Sequence, residues 1–232
     1  MNLILSILIT AIISILFSSS IKKHKNAYYI LSSLIALSTL AFEAFKISTG
    51  LKPNDNFIIS LESVSAKGIL SIAFFILVMY AGALNNKWTV TKKLLKVRGE
   101  LAIIASILML PHGIIYGYKF IFLTLPKFIA TGNFPLLYLS VSVIGIIAFI
   151  LMIPLFITSF IKVRKQMNAK SWKKLQKWAY LFYLLAYLHV FILLVNRDNI
   201  NWTKLITYTL VFGIYTILRL IKAFNKKIWY FL

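Results

Sequence analysis

Two of the three histidines in this 232-residue chain stand inside apolar stretches. His112 lies in LMLPHGIIYG and His189 in YLFYLLAYLHVFILL, whereas His24 stands among lysines in KKHKN, as expected of a solvated loop. A polar ring within an apolar span costs several kcal/mol unless a partner satisfies it. Two neutral imidazoles at one level on neighbouring helices can bind one iron from opposite faces. Hydrogen bonding between helices is the alternative role of such histidines.

The residues around His112 are also unusual for an apolar helix. Pro111 removes one backbone hydrogen bond and can bend the helix at this point. Gly113 and Gly117 form a small-xxx-small pair, which removes bulk where a flat ring or another helix must approach. This local sequence therefore predicts that the imidazole is presented to a large neighbour.

The two histidines are predicted to lie at a similar depth. His112 follows Arg98 by 14 residues, a rise of about 21 Å along a helix, and His189 follows Gln176 by 13 residues, a rise of about 20 Å. Both helices run in the same direction in the topology given below. We therefore expect both imidazoles in the outer half of the bilayer.

The composition determines the class of protein. Hydrophobic residues make up 60% of the chain, charged residues 13%, and the mean hydropathy is +0.87. These values predict an all-α, polytopic membrane helix bundle. The absence of cysteine excludes disulfides and thiolate metal sites. The net charge of +21 does not indicate nucleic acid, because the basic residues cluster in short segments between apolar runs.

Seven apolar stretches are long enough to cross the hydrocarbon core of a membrane, which takes about 20 residues. They lie near 2–21, 27–46, 65–84, 100–118, 137–161, 178–196 and 202–221. The first stretch has no basic residue before it and three lysines after it, which is the reverse of a signal peptide. We therefore divide the chain into an added N-terminal anchor with its basic loop (1–26), a core (27–221) and a basic tail (222–232).

The loops differ sharply in charge. Alternate loops on one side carry 19 of the 26 Lys and Arg residues, which leaves seven for the other side. The positive-inside rule makes the first side cytoplasmic, so the N-terminus is expected outside a cell membrane and the C-terminus inside. Contact with membrane lipid is the ordinary role of these basic runs. Glu43 with Lys46 and Glu100 with Lys96 have the spacing of interface ion pairs, which we favour over a proton relay.

Three segments, residues 96–117, 128–160 and 171–194, carry a resemblance to the ferric-reductase-like transmembrane domain family. The resemblance covers about residues 60 to 221. The family has an Arg or His about 14 residues before a helix histidine, a Thr-Ser at the end of the next helix, and W-x-x-L-H about 13 residues before a second helix histidine. The matching residues are Arg98 with His112, Thr158 with Ser159, and Trp172, Leu175 and His189. Gln176 departs from the pattern because the family usually has histidine there. The similarity is greatest to short members, such as the haem-bearing membrane subunits of methionine sulfoxide reductase systems.

The resemblance implies a b-type haem whose iron takes His112 and His189 as axial ligands. Family members with four histidines bind two haems, so Gln176 leaves the inner site open. Arg98 is a poor iron ligand because it stays protonated, but it can bind a haem propionate, a flavin phosphate or a lipid headgroup. A quinone or FMN would then bridge the distance from a single outer haem to the inner face.

The function implied is that of an electron-transfer subunit rather than a stand-alone enzyme. A separate quinol or flavin reductase would donate electrons on the cytoplasmic side, and a reductase partner or ferric iron would accept them outside. Two other classes stay open from the residues alone. One is a small transporter or channel, which needs polar groups or broken helices at a midplane site. The other is an assembly subunit without a cofactor.

Overall fold

The computed structural model describes residues 3–50, 57–196 and 199–228. Every regular element in these ranges is helical, which confirms the predicted class of an all-α membrane bundle. The helices are α1 (Leu3–Leu16), α2 (Ser18–Lys23), α3 (Lys25–Thr49), α4 (Phe57–Ala66), α5 (Ile69–Ala83), α6 (Thr89–Lys96), α7 (Arg98–Tyr118), α8 (Leu125–Thr131), α9 (Leu136–Ile157), α10 (Ile161–Gln166), α11 (Ala169–Gln176), α12 (Trp178–Val195) and α13 (Trp202–Ile228).

The seven predicted spans correspond to α1, α3, α5, α7, α9, α12 and α13. Five helical stretches of the described chain are long and apolar enough to cross a membrane, and α1 and α5 are shorter apolar helices of 14 and 15 residues. The chain is therefore a multi-pass membrane protein. The third predicted span is shorter than expected because Gly68, with φ of 70°, separates α4 from α5.

Helix α7 continues past its predicted end. A π-helical segment, Lys119–Thr124, joins it to α8, so that one helical stretch runs from Arg98 to Thr131 over 34 residues. Pro111 lies inside α7 without ending it. A stretch of this length rises about 51 Å, well beyond the roughly 30 Å of hydrocarbon.

The core lies around α5. Nearly every side chain from Ser71 to Ala83 is buried, and a helix that is apolar all round is expected to be enclosed by others. Helices α1, α7 and α13 pack against it. Helix α1 does so with the buried residues Ser6, Thr10 and Ser14 facing inward. Its role as an added anchor, separate from the core 27–221, stays a prediction.

The ends of α5, α7, α12 and α13 meet at one side of the bundle, which we call the basic end. There Arg219 of α13 donates to the carbonyl of Gly82 at 3.3 Å and to the hydroxyl of Tyr180 on α12. The guanidinium of Arg98 also lies against Gly82. Helices α7 and α12 both begin at this end, so both run toward the opposite side, which we call the distal end. Residues 229–232 of the predicted basic tail lie outside the described residues.

Candidate functional site

The imidazoles of His112 and His189 lie next to each other, one on α7 and the other on α12. Their ring centroids are 6.2 Å apart and their planes are at 88°. Both side chains are half-buried. The structure therefore brings together the two histidines that stand inside apolar helices.

The orientation of His112 is fixed from the turn between α4 and α5. The Nδ1 atom lies 3.1 Å from the carbonyl oxygen of Ala66, the last residue of α4. Gly68 packs against the imidazole, because a Cβ at that position would be 3.2 Å from its Cγ atom. The left-handed backbone at Gly68 thus allows the chain to reverse close to the ring.

The orientation of His189 is fixed by α9. The Nδ1 atom lies 2.9 Å from the carbonyl oxygen of Val141. A Cβ at Gly145, one turn further along α9, would lie 2.8 Å from the same nitrogen. A contact this short is sterically excluded, so only glycine at this position leaves room for the imidazole.

These contacts determine the tautomer of both rings. A carbonyl oxygen only accepts hydrogen bonds, so each Nδ1 carries the proton and each Nε2 has a free lone pair. Metal-binding histidines are commonly oriented by the same kind of hydrogen bond. Two imidazoles that bind one metal through bonds of about 2.0 Å hold their centroids roughly 6 Å apart. The pair therefore fits the two axial ligands of a haem iron.

A metal bound here would need its remaining ligands from a macrocycle. Among the described residues no group of three or more His, Cys, Asp or Glu side chains could hold a metal ion. A porphyrin supplies four nitrogens and leaves two axial positions for the protein. The donor set of two histidines thus agrees with haem better than with a free ion.

The two glycines after His112 behave differently from each other. The ring of Phe149 on α9 occupies the space beside Gly113, where a Cβ would lie 2.1 Å from a ring carbon. No atom lies within 4 Å of a Cβ placed at Gly117. Another helix therefore approaches at Gly113, through an aromatic side chain of α9, whereas the role of Gly117 stays a prediction.

Arg98 lies at the basic end and contacts α5. Its Nε donates to the carbonyl oxygen of Val78 at 3.1 Å, and its guanidinium rests on Gly82. The residue is exposed at the start of α7. Its described hydrogen bond stabilises the contact of α7 with α5.

Gln176 contacts α9 instead. Its Nε2 donates to Oγ1 of Thr158 at 3.1 Å, and Nε1 of Trp172 donates to the carbonyl oxygen of the same threonine at 3.1 Å. The guanidinium of Arg164 covers the ring of Trp172 at 5.3 Å. Gln176 and Arg98 thus bond to different helices, and the described contacts do not join them to each other.

An ionic cluster lies near the distal end of α7. Lys46 contacts Glu43 and also Oε2 of Glu62 at 3.3 Å, and Lys119 donates to Oε2 of Glu43 at 3.1 Å. The ammonium of Lys119 also lies over the ring of Tyr116, 5.5 Å from its centroid. The predicted pair of Glu43 with Lys46 is confirmed, and two further charged residues join it.

The second predicted ion pair is wrong. Glu100 is buried and accepts from Nζ of Lys22 at 2.7 Å, while Lys96 donates to Ser19 at 3.2 Å. Both partners belong to the segment around α2. Glu100 therefore pairs across the bundle rather than along its own helix.

A comparison with protein families shows to which family the chain belongs. The sequence model described as "Ferric reductase like transmembrane component" matches residues 67–187, just over half of the chain. The chain belongs to the ferric reductase-like transmembrane component family. The matched range includes Arg98, His112 and Gln176, and His189 lies two residues beyond its end.

One relative of this chain is an uncharacterized protein of Treponema pallidum (strain Nichols). It is 31% identical over 231 residues, which is 98% of this chain and 62% of the relative. The chain thus spans about three-fifths of the length of that relative. No protein of solved structure matches the chain.

Sequence reasoning missed the groups that orient the imidazoles. The acceptors are the main-chain carbonyls of Ala66 and Val141, and no side-chain pattern reveals a main-chain partner. Gly145 left a weak signal as the glycine in the apolar run SVSVIGIIAFIL. A glycine inside a helix costs about 1 kcal/mol relative to alanine, so it indicates close approach of another group.

Proposed function

We propose that the chain is a b-type haem subunit that passes electrons across the membrane. The main support for the proposal is the pair of imidazoles. Their ring centroids are 6.2 Å apart, and both Nδ1 atoms face main-chain carbonyls. Membership of the ferric reductase-like family supports a role in transmembrane electron transfer. His112 and His189 would be the axial ligands.

A bound haem would supply one-electron chemistry between its ferric and ferrous states. The residues of this chain supply the rest. His112 and His189 would hold the iron through Nε2, the carbonyls of Ala66 and Val141 accept from Nδ1 and so leave Nε2 available, and Gly145 leaves space for one ring. The apolar helices around the pair exclude water and lower the local dielectric.

The proposed orientation in the membrane is taken from the charge of the loops, and the direction of electron transfer from the resemblance to the family. With 19 of 26 basic residues in the loops of one side, we assign the basic end to the cytoplasm, so that the N-terminus lies outside and the C-terminus inside. A quinol or a flavin reductase would donate electrons there. The acceptor outside would be a reductase partner, as in methionine sulfoxide reductase systems, or ferric iron.

We propose one haem rather than two. The hydrogen bonds of Arg98 to α5 and of Gln176 to α9 support this number, because both side chains take part in helix contacts at the level where a second haem would bind. A quinone or FMN near the basic end would then carry electrons from the donor to the haem.

The test is the absorption spectrum of the purified protein from haem-replete cells. We expect the Soret band and split α band of six-coordinate b haem, and His112→Ala or His189→Ala abolishes them because each removes one axial ligand. His24→Ala is the matched control and retains the bands, since His24 lies between α2 and α3, away from the pair.

A colourless wild-type protein would contradict the proposal. So would a spectrum that all three alanine variants share. In either case, transport assays on the haem-free protein would become the next measurement, because a small transporter or a cofactor-free assembly subunit needs no axial ligand.

A further inference from the structure

The ionic cluster at the distal end joins four charged side chains from three parts of the chain. Glu43 and Lys46 lie on α3, Glu62 lies on α4, and Lys119 begins the π-helical segment after α7. Lys46 contacts both carboxylates and Lys119 contacts Glu43. Its formal charges sum to zero, so one added proton changes the cluster to a net positive charge.

Of the two carboxylates in this cluster, Glu62 has fewer described partners of opposite charge. Its side chain is 11% exposed, and its single described ionic partner is Lys46, which it shares with Glu43. Its Oε1 atom is buried and has no hydrogen-bond partner among the described residues. Burial raises the pKa of the Glu62 carboxyl above its usual value, and Lys46 offsets this only in part.

Two short series of contacts, one along α7 and one along α4, link this cluster to His112. His112 and Tyr116 lie one turn apart on α7 with their rings 4.7 Å apart, and Lys119, the next turn's residue at the start of the π-helical segment, has its ammonium over the ring of Tyr116. On α4, Glu62 lies one turn before Ala66, whose carbonyl contacts Nδ1 of His112. Seven residues of helix place Lys119 about 10 Å beyond the imidazole.

We propose that Glu62 takes up a proton from the distal side when an electron reaches the site held by His112 and His189. This inference rests on the proposed function. The donor would supply one electron, which would reduce a bound ferric iron to ferrous iron, and the Glu62 carboxylate would take one proton from the solvent on the distal side and become the neutral acid. When the outer acceptor takes the electron, Glu62 would release its proton to the same solvent.

The size of the effect follows from the distance. At a separation of about 10 to 15 Å through partly buried protein, an added negative charge raises the proton affinity of a carboxylate by about one pH unit. The charged and titratable groups that face Glu62 are Lys46, Glu43 and Tyr116, and Lys119 contacts Glu43. Glu43 contacts two ammonium groups, whereas Glu62 contacts only Lys46 among the described residues, which it shares with Glu43, so Glu62 is the group expected to change charge.

The experiment measures the midpoint potential of the haem-loaded full chain from about pH 4, the ordinary range of a carboxyl group, up to neutral pH and above. We expect the wild-type potential to fall as the pH rises, because reduction takes up a proton, and Glu62→Gln to flatten this dependence. Glu100→Gln is the matched control, since Glu100 is also buried and paired with a lysine, but at the basic end. It retains the wild-type slope.

A second readout uses the haem-free protein and infrared spectroscopy of carboxyl groups. We expect a protonated-carboxyl band that titrates above the usual range of glutamate and that is absent from Glu62→Gln. Equal pH slopes in wild type and Glu62→Gln, with haem bound, would overturn this inference and leave the proposed function standing. Failure of the wild-type chain to bind haem would overturn both.

Discussion

Candidate ligand side chains lie at two levels of the helix bundle, and their contacts differ between the levels. Toward the distal end, His112 and His189 lie side by side and their Nε2 atoms are free of the main chain. At the basic end, Arg98 and Gln176 stand at the corresponding positions 14 and 13 residues earlier, but each donates to a different helix. Similar spacing in the sequence therefore produces a pair at one level and two helix contacts at the other.

The difference shows what a pair of ligands needs besides depth. His189 reaches its place because Gly145 leaves space on α9, and His112 is held because Gly68 lets the chain turn beside it. Gln176 instead meets the hydroxyl of Thr158, a partner with which a short amide forms a hydrogen bond. The local packing thus decides which residues face each other.

The largest expected effect in this comparison comes from Gly145→Ala. The new Cβ would lie 2.8 Å from Nδ1 of His189, so the imidazole must move away from its carbonyl partner. Overpacking of this kind costs about 1–3 kcal/mol, which corresponds to haem retention weaker by about fivefold to about 150-fold. Haem content per protein after purification is the measurement.

Gly117→Ala is the matched control for this change. It also adds one methyl group to a helix, but no atom lies within 4 Å of its Cβ, so haem content stays at the wild-type level. Equal haem content in the two variants would mean that the imidazole of His189 is not confined by α9.

A smaller effect is expected at the basic end from Thr158→Val. The change removes the hydroxyl that accepts from Gln176 and that also donates to the carbonyl of Pro154. Loss of such a bond costs about 1 kcal/mol, so the thermal unfolding temperature in detergent falls while the haem spectrum is unchanged. Thr207→Val is the control, since Thr207 is half-buried and its described hydrogen bond stays within its own helix.

The smallest effect is expected from Gln176→His, which restores the residue usual in the family. We expect the ratio of haem to protein to stay at the wild-type value, because Arg98 at the same end remains bonded to Val78 and cannot serve as a second iron ligand. The measurement is the pyridine haemochrome assay. A doubled ratio would show that the two levels differ by this one side chain alone.

Much of the fold could be predicted because the apolar stretches are long and strongly marked. All seven stretches correspond to helices, and the alternation of basic loops agrees with the contacts at the basic end, such as that of Arg219 with Gly82. The breaks were not predictable from hydropathy. Gly68 divides α4 from α5 through a left-handed backbone, and the apolar sequence on both sides conceals that turn.

The candidate site was predictable only in its side chains. A histidine in an apolar span stands out because its burial is costly, so His112 and His189 are visible in one sequence. The distal cluster was less visible, since Glu62 and Lys119 are 57 residues apart and each joins the pair of Glu43 with Lys46 from a different part of the chain. Short-range spacing finds the pair of Glu43 with Lys46, but it cannot find partners from other helices.

The oxygens that orient both imidazoles belong to peptide groups and not to side chains. No single amino-acid replacement can delete a carbonyl at Ala66 or Val141, because every residue type carries one. Sequence drift at these two positions therefore leaves the ring geometry intact, and relatives can diverge widely there while they retain the same pair of ligands.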